Sequence, residues 1–166
     1  MYLTALALAI LLSCSCVIKT SDTCTYSIRG IPGNHTCRPN WRPWGGSCYF
    51  LTKDNDWSGA NDACVEMGGA LAAPWSEEEN GFLAGIIKES GRHWVWINCD
   101  DVEIEGNWRC STGGMESHFR KWAGGEGRTG HEDCAFMNAD GYWGDRSCQE
   151  VSLAVCKSII RPTLHL

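Results

Sequence analysis

Hydrophobic and polar residues follow short, changing periods along most of the chain. "SCYFLT" (47–52) is brief, aromatic and followed by polar residues, which predicts a strand. In "DWSGANDACVEMGG", Trp57, Ala60, Cys64 and Met67 recur on one face at helical spacing, and Gly68-Gly69 marks the stop. "ALAAPWSEEENGFLAGIIKES" predicts a second helix. Ser76 and Glu79 make a capping box, and Glu77 and Glu78 lie near the positive N-terminal end. Phe82, Leu83, Ile86 and Ile87 form its apolar face. "HWVWINC" (93–99) reads as a strand, and Trp108 is expected on another. From there to Cys156, glycine-rich loop is broken by the strand-like runs "CAFMN", "GYWGD" and "VSLAVCK". Two early helices and many short later strands predict an α+β domain. There is no internal repeat and no low-complexity tract.

The first residues have a different texture. Leu3 to Leu12 is an apolar run of signal-peptide length, followed by small residues at Ser13 to Ser15. It is too short to span a bilayer. A signal peptide over 1–21, cleaved somewhere in 13–21, predicts a secreted, extracellular protein. Leu11-Leu12-Ser13-Cys14 also resembles a bacterial lipoprotein processing site. No later segment is apolar enough to span a membrane. Residues 22–36 read as a lead-in with Gly, Pro and Asn punctuation. Asn34-His35-Thr36 is an acceptor for N-glycosylation; the alternative is an unmodified loop.

Composition narrows the function classes. The 166 residues allow one ordinary domain with a real core. Eleven cysteines and nine tryptophans are far above average usage, and the cysteines point to an oxidising compartment. Structural zinc needs close Cys or His pairs, and the only close cysteine pair, Cys14 and Cys16, lies in the apolar leader. A net charge of −6 without a Lys/Arg cluster argues against nucleic acid or an anionic membrane surface as the main partner. The chain has no His-Glu-x-x-His motif, no Gly-x-Ser-x-Gly elbow and no P-loop. Glu126, Glu132 and Asp145 could supply an acid and a base for glycoside hydrolysis, but nothing marks one of them as desolvated. A binding protein, not an enzyme, is expected.

Six stretches in order then point to a family. They are "CRPNWRPWGGSCYF", "ACVEMGGALA", "WINCDDVEIEGNW", "EDCAFM", "YWGDRSC" and "AVC". Together, residues 37–157 resemble a C-type lectin-like domain in its long form, followed by a tail at 158–166. The resemblance implies an α+β fold of two helices, short antiparallel strands and a long disulfide-stapled loop region. It implies disulfides Cys37–Cys48, Cys64–Cys156 and Cys134–Cys148. Cys99 and Cys110 are additional and suitably spaced for a local bridge. Cys24 is left over: a free thiol, a partner of Cys16, or an interchain link giving a homodimer. Trp57, Trp96, Trp108 and Trp143 fall at core or strand positions of the family, while Trp44, Trp75 and Trp94 are less constrained.

Sugar-binding members hold calcium between a Glu-Pro-Asn loop, a later Glu and a Trp-Asn-Asp strand, and the ion takes two sugar hydroxyls. Calcium wants six to eight oxygens. By resemblance, Glu126, Glu132 and Asp145 match, while Gly127, Arg128 and Gly144 replace Pro, Asn and Asn. Both amides are gone. The peptide bond at Gly127 is expected to be trans, because a non-proline cis bond costs roughly 2.5–4 kcal/mol. Arg128 either pairs with Glu126 or Glu132, partly substituting for the ion, or points into solvent. A second ion position matches Asp101, Glu105, Glu132 and Asp133, with Thr129 in place of a carboxylate; the bland alternative has Asp101 and Glu105 capping turns. His131 is either a pH-sensitive element or simply solvated. Glycans or glycoproteins, including microbial surface sugars, are the expected partners. The alternatives are a calcium-independent protein-interaction module and a structural, surface-binding role.

Overall fold

A computed structural model describes residues 37–128 and 130–160. The 1–21 leader, Cys24, Asn34 and Thr129 lie outside the described residues. The elements run β1 (Arg42–Trp44), β2 (Ser47–Leu51), α1 (Trp57–Glu66), β3 (Ala70–Leu71), α2 (Glu77–Ser90), β4 (Trp94–Asp100), β5 (Arg109–Thr112), β6 (Met115–Glu116), β7 (Cys134–Asn138), β8 (Trp143–Arg146) and β9 (Val155–Ile159). One sheet has the order β1-β2-β9-β3 and the other β6-β5-β4-β7-β8, with antiparallel ladders throughout. The architecture is α+β, as the element pattern predicts. Among the described residues, no helix is long and apolar enough to cross a membrane.

Local chemistry sets the helix ends. The Asp56 side chain accepts from Gly59 N at 2.7 Å to start α1, and Met67 caps its end. Ser76 Oγ accepts from Glu79 N at 3.3 Å to start α2. The expected capping box is only half formed. Glu79 does not reach back to Ser76 but accepts from Trp75 N at 3.1 Å, Tyr49 Oη at 2.7 Å and Lys157 Nζ at 2.7 Å. At 3% exposure this carboxylate joins α2 to β2 and β9. Burial, then the bond to Glu79, pushes the Tyr49 phenol well above its usual range. Trp108 corrects another expectation: it stops one residue short of β5. Its carbonyl accepts from Arg120 at 2.8 Å, and its indole N–H donates to Gly127 O in the ligand loop.

Two apolar clusters hold the elements. Leu83, Ile86 and Ile87 of α2 pack with Val95, Ile97, Met137, Trp143 and Val155, which agrees with most of the predicted helix face. Phe82 is only partly buried and stacks on Trp44. Ala60 and Cys64 of α1 pack with Leu71, Trp96, Ala154 and Cys156. Trp96 and Trp143 are fully buried, whereas Trp75 is 41% exposed. Disulfides join Cys37–Cys48, Cys64–Cys156, Cys99–Cys110 and Cys134–Cys148. Each native bridge of this kind typically contributes about 2–4 kcal/mol.

Asn80 ties α2 to the turn before β8. Its amide donates to Gly141 O at 2.8 Å, and its carbonyl oxygen accepts from Trp143 Nε1 at 2.8 Å. The side chain is fully buried. Asn80→Ala strands one buried donor and one buried acceptor, at about 1–3 kcal/mol each. Denaturant titration of this variant is expected to show a stability loss of roughly that sum.

Candidate functional site

The segment after β6 covers the outer edge of β8. Trp143 N donates to Lys121 O at 2.9 Å, and Ala123 N donates to Trp143 O at 2.8 Å. The next outward N–H, of Asp145, is met by a side chain: Glu126 Oε2 accepts from it at 3.4 Å. Edge strands present N–H groups that need such cover. Glu126 is therefore turned inward against the strand. Gly144 lies beneath it, where a Cβ would stand 2.5 Å from the Phe136 ring and 2.7 Å from Glu126 Oε2. Phe136 and Glu126 fill the space that a side chain at 144 would need.

The loop apex rests on tryptophan. Gly127 has φ +71°, and a Cβ there would meet the Trp122 indole at 2.7 Å. Trp108 Nε1 donates to Gly127 O at 2.9 Å, and the Trp108 and Trp122 rings lie 4.5 Å apart. Trp122 in turn meets buried Trp143 edge-on at 5.7 Å. Proline, with φ fixed near −65°, cannot take this conformation. The described residues contain no cis peptide bond, so the bond at Gly127 is trans.

The acidic residues gather at the Asp100 end of β4. Asp101 is 3% exposed; its Oδ2 accepts from Gly106 N at 2.7 Å, and its Oδ1 is buried without a partner. Its backbone N–H donates to Asp133 O at 3.2 Å. Burial first, and then the charges of Glu105, Asp133 and Asp145, raise the Asp101 pKa against the lowering effect of the Gly106 bond. Glu126 is also raised, first by burial and then by its contact with the Asp145 carboxyl, with Glu132 adding a smaller push. Glu105, Arg128, His131 and Glu132 are exposed. Arg128 forms no ion pair among the described residues, so neither Glu126 nor Glu132 takes its guanidinium. Glu126 is already held by Asp145.

These details separate the two ion positions. At the first, Glu126 and Phe136 occupy the room of the family's amide, and the residues do not fit a calcium ion shared with a sugar. At the second, a buried carboxylate oxygen with only like charges around it suits a hard cation. As they stand, no three Asp, Glu, His or Cys side chains among the described residues converge closely enough to hold one. The second position therefore fits in charge and requires side-chain closure. Trp122 marks the entry to the ligand loop in the sequence, whereas the contributions of Phe136 and Trp108 are invisible in the sequence pattern; only the pairing of Phe136 with Gly144 reveals the first of them.

Two outcomes follow. Gly144→Asn, which restores the family's residue, is expected to lower the melting temperature and to gain no sugar affinity by calorimetry, because the amide has no room. The second concerns pH. Asp101 and Glu126 bind protons more tightly folded than unfolded. Their stabilising contribution is complete below the unfolded carboxylate values, near 4, and is lost as pH rises through the raised folded values. Melting curves in chelator are expected to fall with rising pH over that window, and Asp101→Asn to flatten the fall.

A profile described as "Lectin C-type domain" matches residues 53–158. Asialoglycoprotein receptor 2 of Mus musculus is 32% identical over 81% of this chain and 46% of its own length. CD209 antigen-like protein D of Mus musculus is 34% identical over 74% of this chain and 52% of its own. The chain thus spans about half the length of either relative. The solved carbohydrate-recognition domain of cow CD23, in the presence of a GlcNAc2Man3 oligosaccharide, superposes with a TM-score of 0.67 at 28% identity, covering 76% of this chain and 98% of that one. On sequence and structure together, the chain belongs to the C-type lectin domain family.

Proposed function

We propose that this chain is a secreted carbohydrate-binding lectin whose 37–157 domain takes glycans or glycoproteins, including microbial surface glycans in innate defence, at the end of the sheet where β4 meets the ligand loop. The observation that carries the reading is Asp101. A buried carboxylate with an unpartnered oxygen, facing Glu105, Asp133 and Asp145, is costly unless something cationic completes it. Asp101, Glu105, Glu132 and Asp133 are the residues that would hold calcium. When bound there, calcium would neutralise the cluster and stiffen the loop. The relatives above, named as an asialoglycoprotein receptor and as a carbohydrate-recognition domain, support a glycan as ligand.

The sugar contact itself is altered. In the family's usual site, two amides each give an N–H to a hydroxyl and an oxygen to the ion. Here Arg128 offers only donors and Glu132 only acceptors, both from exposed positions. Glu126 and Asp145 face each other rather than a ligand. The proposed recognition therefore uses direct hydrogen bonds, donated by Arg128 and accepted by the Glu132 oxygen not spent on calcium, instead of vicinal hydroxyls on a shared ion. The second reading is a calcium-independent protein-interaction module. It is favoured by one observation, the filling of the space at Gly144 by Glu126 and Phe136.

A glycan array run with calcium and again with chelator tests both readings. Binding that weakens in chelator, together with a calcium-dependent rise in melting temperature that Asp101→Asn abolishes, is the expected result. Binding indifferent to chelator removes calcium from the proposal and leaves the glycan. Absence of binding to any glycan in either buffer overturns the lectin reading.

A further inference from the structure

The face of the five-stranded sheet that carries Gly144 also carries an arginine held against two rings. Trp94 on β4, Phe136 on β7 and Arg146 on β8 share that face by register. The Trp94 and Phe136 rings are 5.5 Å apart, and the Arg146 guanidinium lies 5.2 Å from each ring centre. Rings at this distance hold a guanidinium in place and leave its donor fork free. Arg146 Nε is buried without a partner. The acid nearest its tip, Glu150, stands at 3.6 Å, too far for a direct hydrogen bond. The tip is 39% exposed. Arg146 is thus a placed, fixed cation whose hydrogen-bonding capacity the fold leaves largely unused.

A cleft of about 280 Å³ opens beside the same tryptophan, lined by Gly91, Arg92, His93, Trp94, Val151 and Ser152. It brings a second guanidinium. Arg92 is held by Asp54 at 2.6 Å, with both side chains nearly half exposed. Exposed pairs of this kind are worth at most about 1 kcal/mol, so an incoming anion can compete with Asp54. Arg92 and His93 thus line the cleft beside Trp94, while Arg146 lies over the Trp94 ring. An indole offers an apolar face to the C–H face of a sugar ring, and a guanidinium fork matches the paired oxygens of a sulfate or carboxylate.

We propose that Trp94, Arg146 and the Arg92–His93 cleft form a second binding site, for a sugar ring bearing an oxyanion: a sulfated glycan. Trp94 opens β4, whereas Arg146 pairs with Cys134, the β7 partner of Asp100, and its guanidinium reaches back along the face to the Trp94 ring. The site shares the Phe136 ring with the packing at Gly144 but uses neither Arg128 nor Glu132, and it needs no cation. Its failure and that of the loop reading are therefore separable.

Calorimetry of the full chain with a heparin-derived tetrasaccharide, in chelator at physiological salt, tests it. Binding is expected, and the desulfated tetrasaccharide is expected to bind at least roughly tenfold more weakly. Arg146→Lys keeps the charge but loses the fork, and should weaken binding by a similar factor while its melting curve stays near wild type. Glu150→Gln removes the competing carboxylate and should tighten binding, so the proposal stays open to test even where Arg146→Lys fails to fold. No binding at physiological salt, equal binding of the desulfated sugar, full affinity in a folded Arg146→Lys, or no gain in Glu150→Gln each overturns the site. Binding abolished by chelator places the ligand at the loop and overturns it as well. Inorganic sulfate competing as well as the tetrasaccharide at equal concentration overturns the sugar part.

Discussion

The outer edge of β8 is the constraint on which the ligand end depends. A bare strand edge leaves N–H and C=O groups unpaired. Here Lys121 to Ala123 run beside Trp143 and satisfy that edge with backbone bonds. The cover carries Trp122 onto Trp143 and so fixes where the loop turns. One step further, the backbone has turned away and the Glu126 carboxylate finishes the task at Asp145. The inward pose of Glu126 is thus a consequence of covering the edge.

That pose redistributes charge. With Glu126 folded against Asp145, two carboxyls share a small volume and the proton is held more tightly on one of them. Asp145 also faces Asp101, whose second oxygen has no donor. The negative charge that sugar-binding members direct outward to a shared ion is here directed inward, toward Asp101. The ionisable groups left exposed at this end include Glu105, Arg128, His131 and Glu132.

Elements whose causes are local were legible in the sequence, and those whose causes are distant were not. Ser76 announces the start of α2 because its partner is three residues away, and the apolar period of Leu83, Ile86 and Ile87 is visible at a glance. Asn80 looks like a surface residue between Glu79 and Gly81. Its burial depends on Gly141 and Trp143, more than sixty residues on. Glu79 is a cap by spacing but a buried anchor by its contacts with Tyr49 and Lys157. The same division holds at the candidate site. The trans bond at Gly127 follows from the residue type alone. The closure over Gly144 needs the register that sets Phe136 beside it, and no local pattern encodes that register.

The departures at Gly127, Arg128 and Gly144 are therefore one change with several parts. Gly127 needs a positive φ and the absence of a Cβ to lie on Trp122. That turn holds its carbonyl under the Trp108 indole, next to a Glu126 already committed to the edge of β8. Glu126 in that pose, with Phe136, excludes any side chain at 144. Asparagine restored at 144 meets Glu126; proline restored at 127 meets Trp122 and the wrong φ. Each residue is what its neighbours allow, so the family's arrangement is not one substitution away. The loop is a differently closed structure, held by its own packing on Trp122, Trp108 and Phe136.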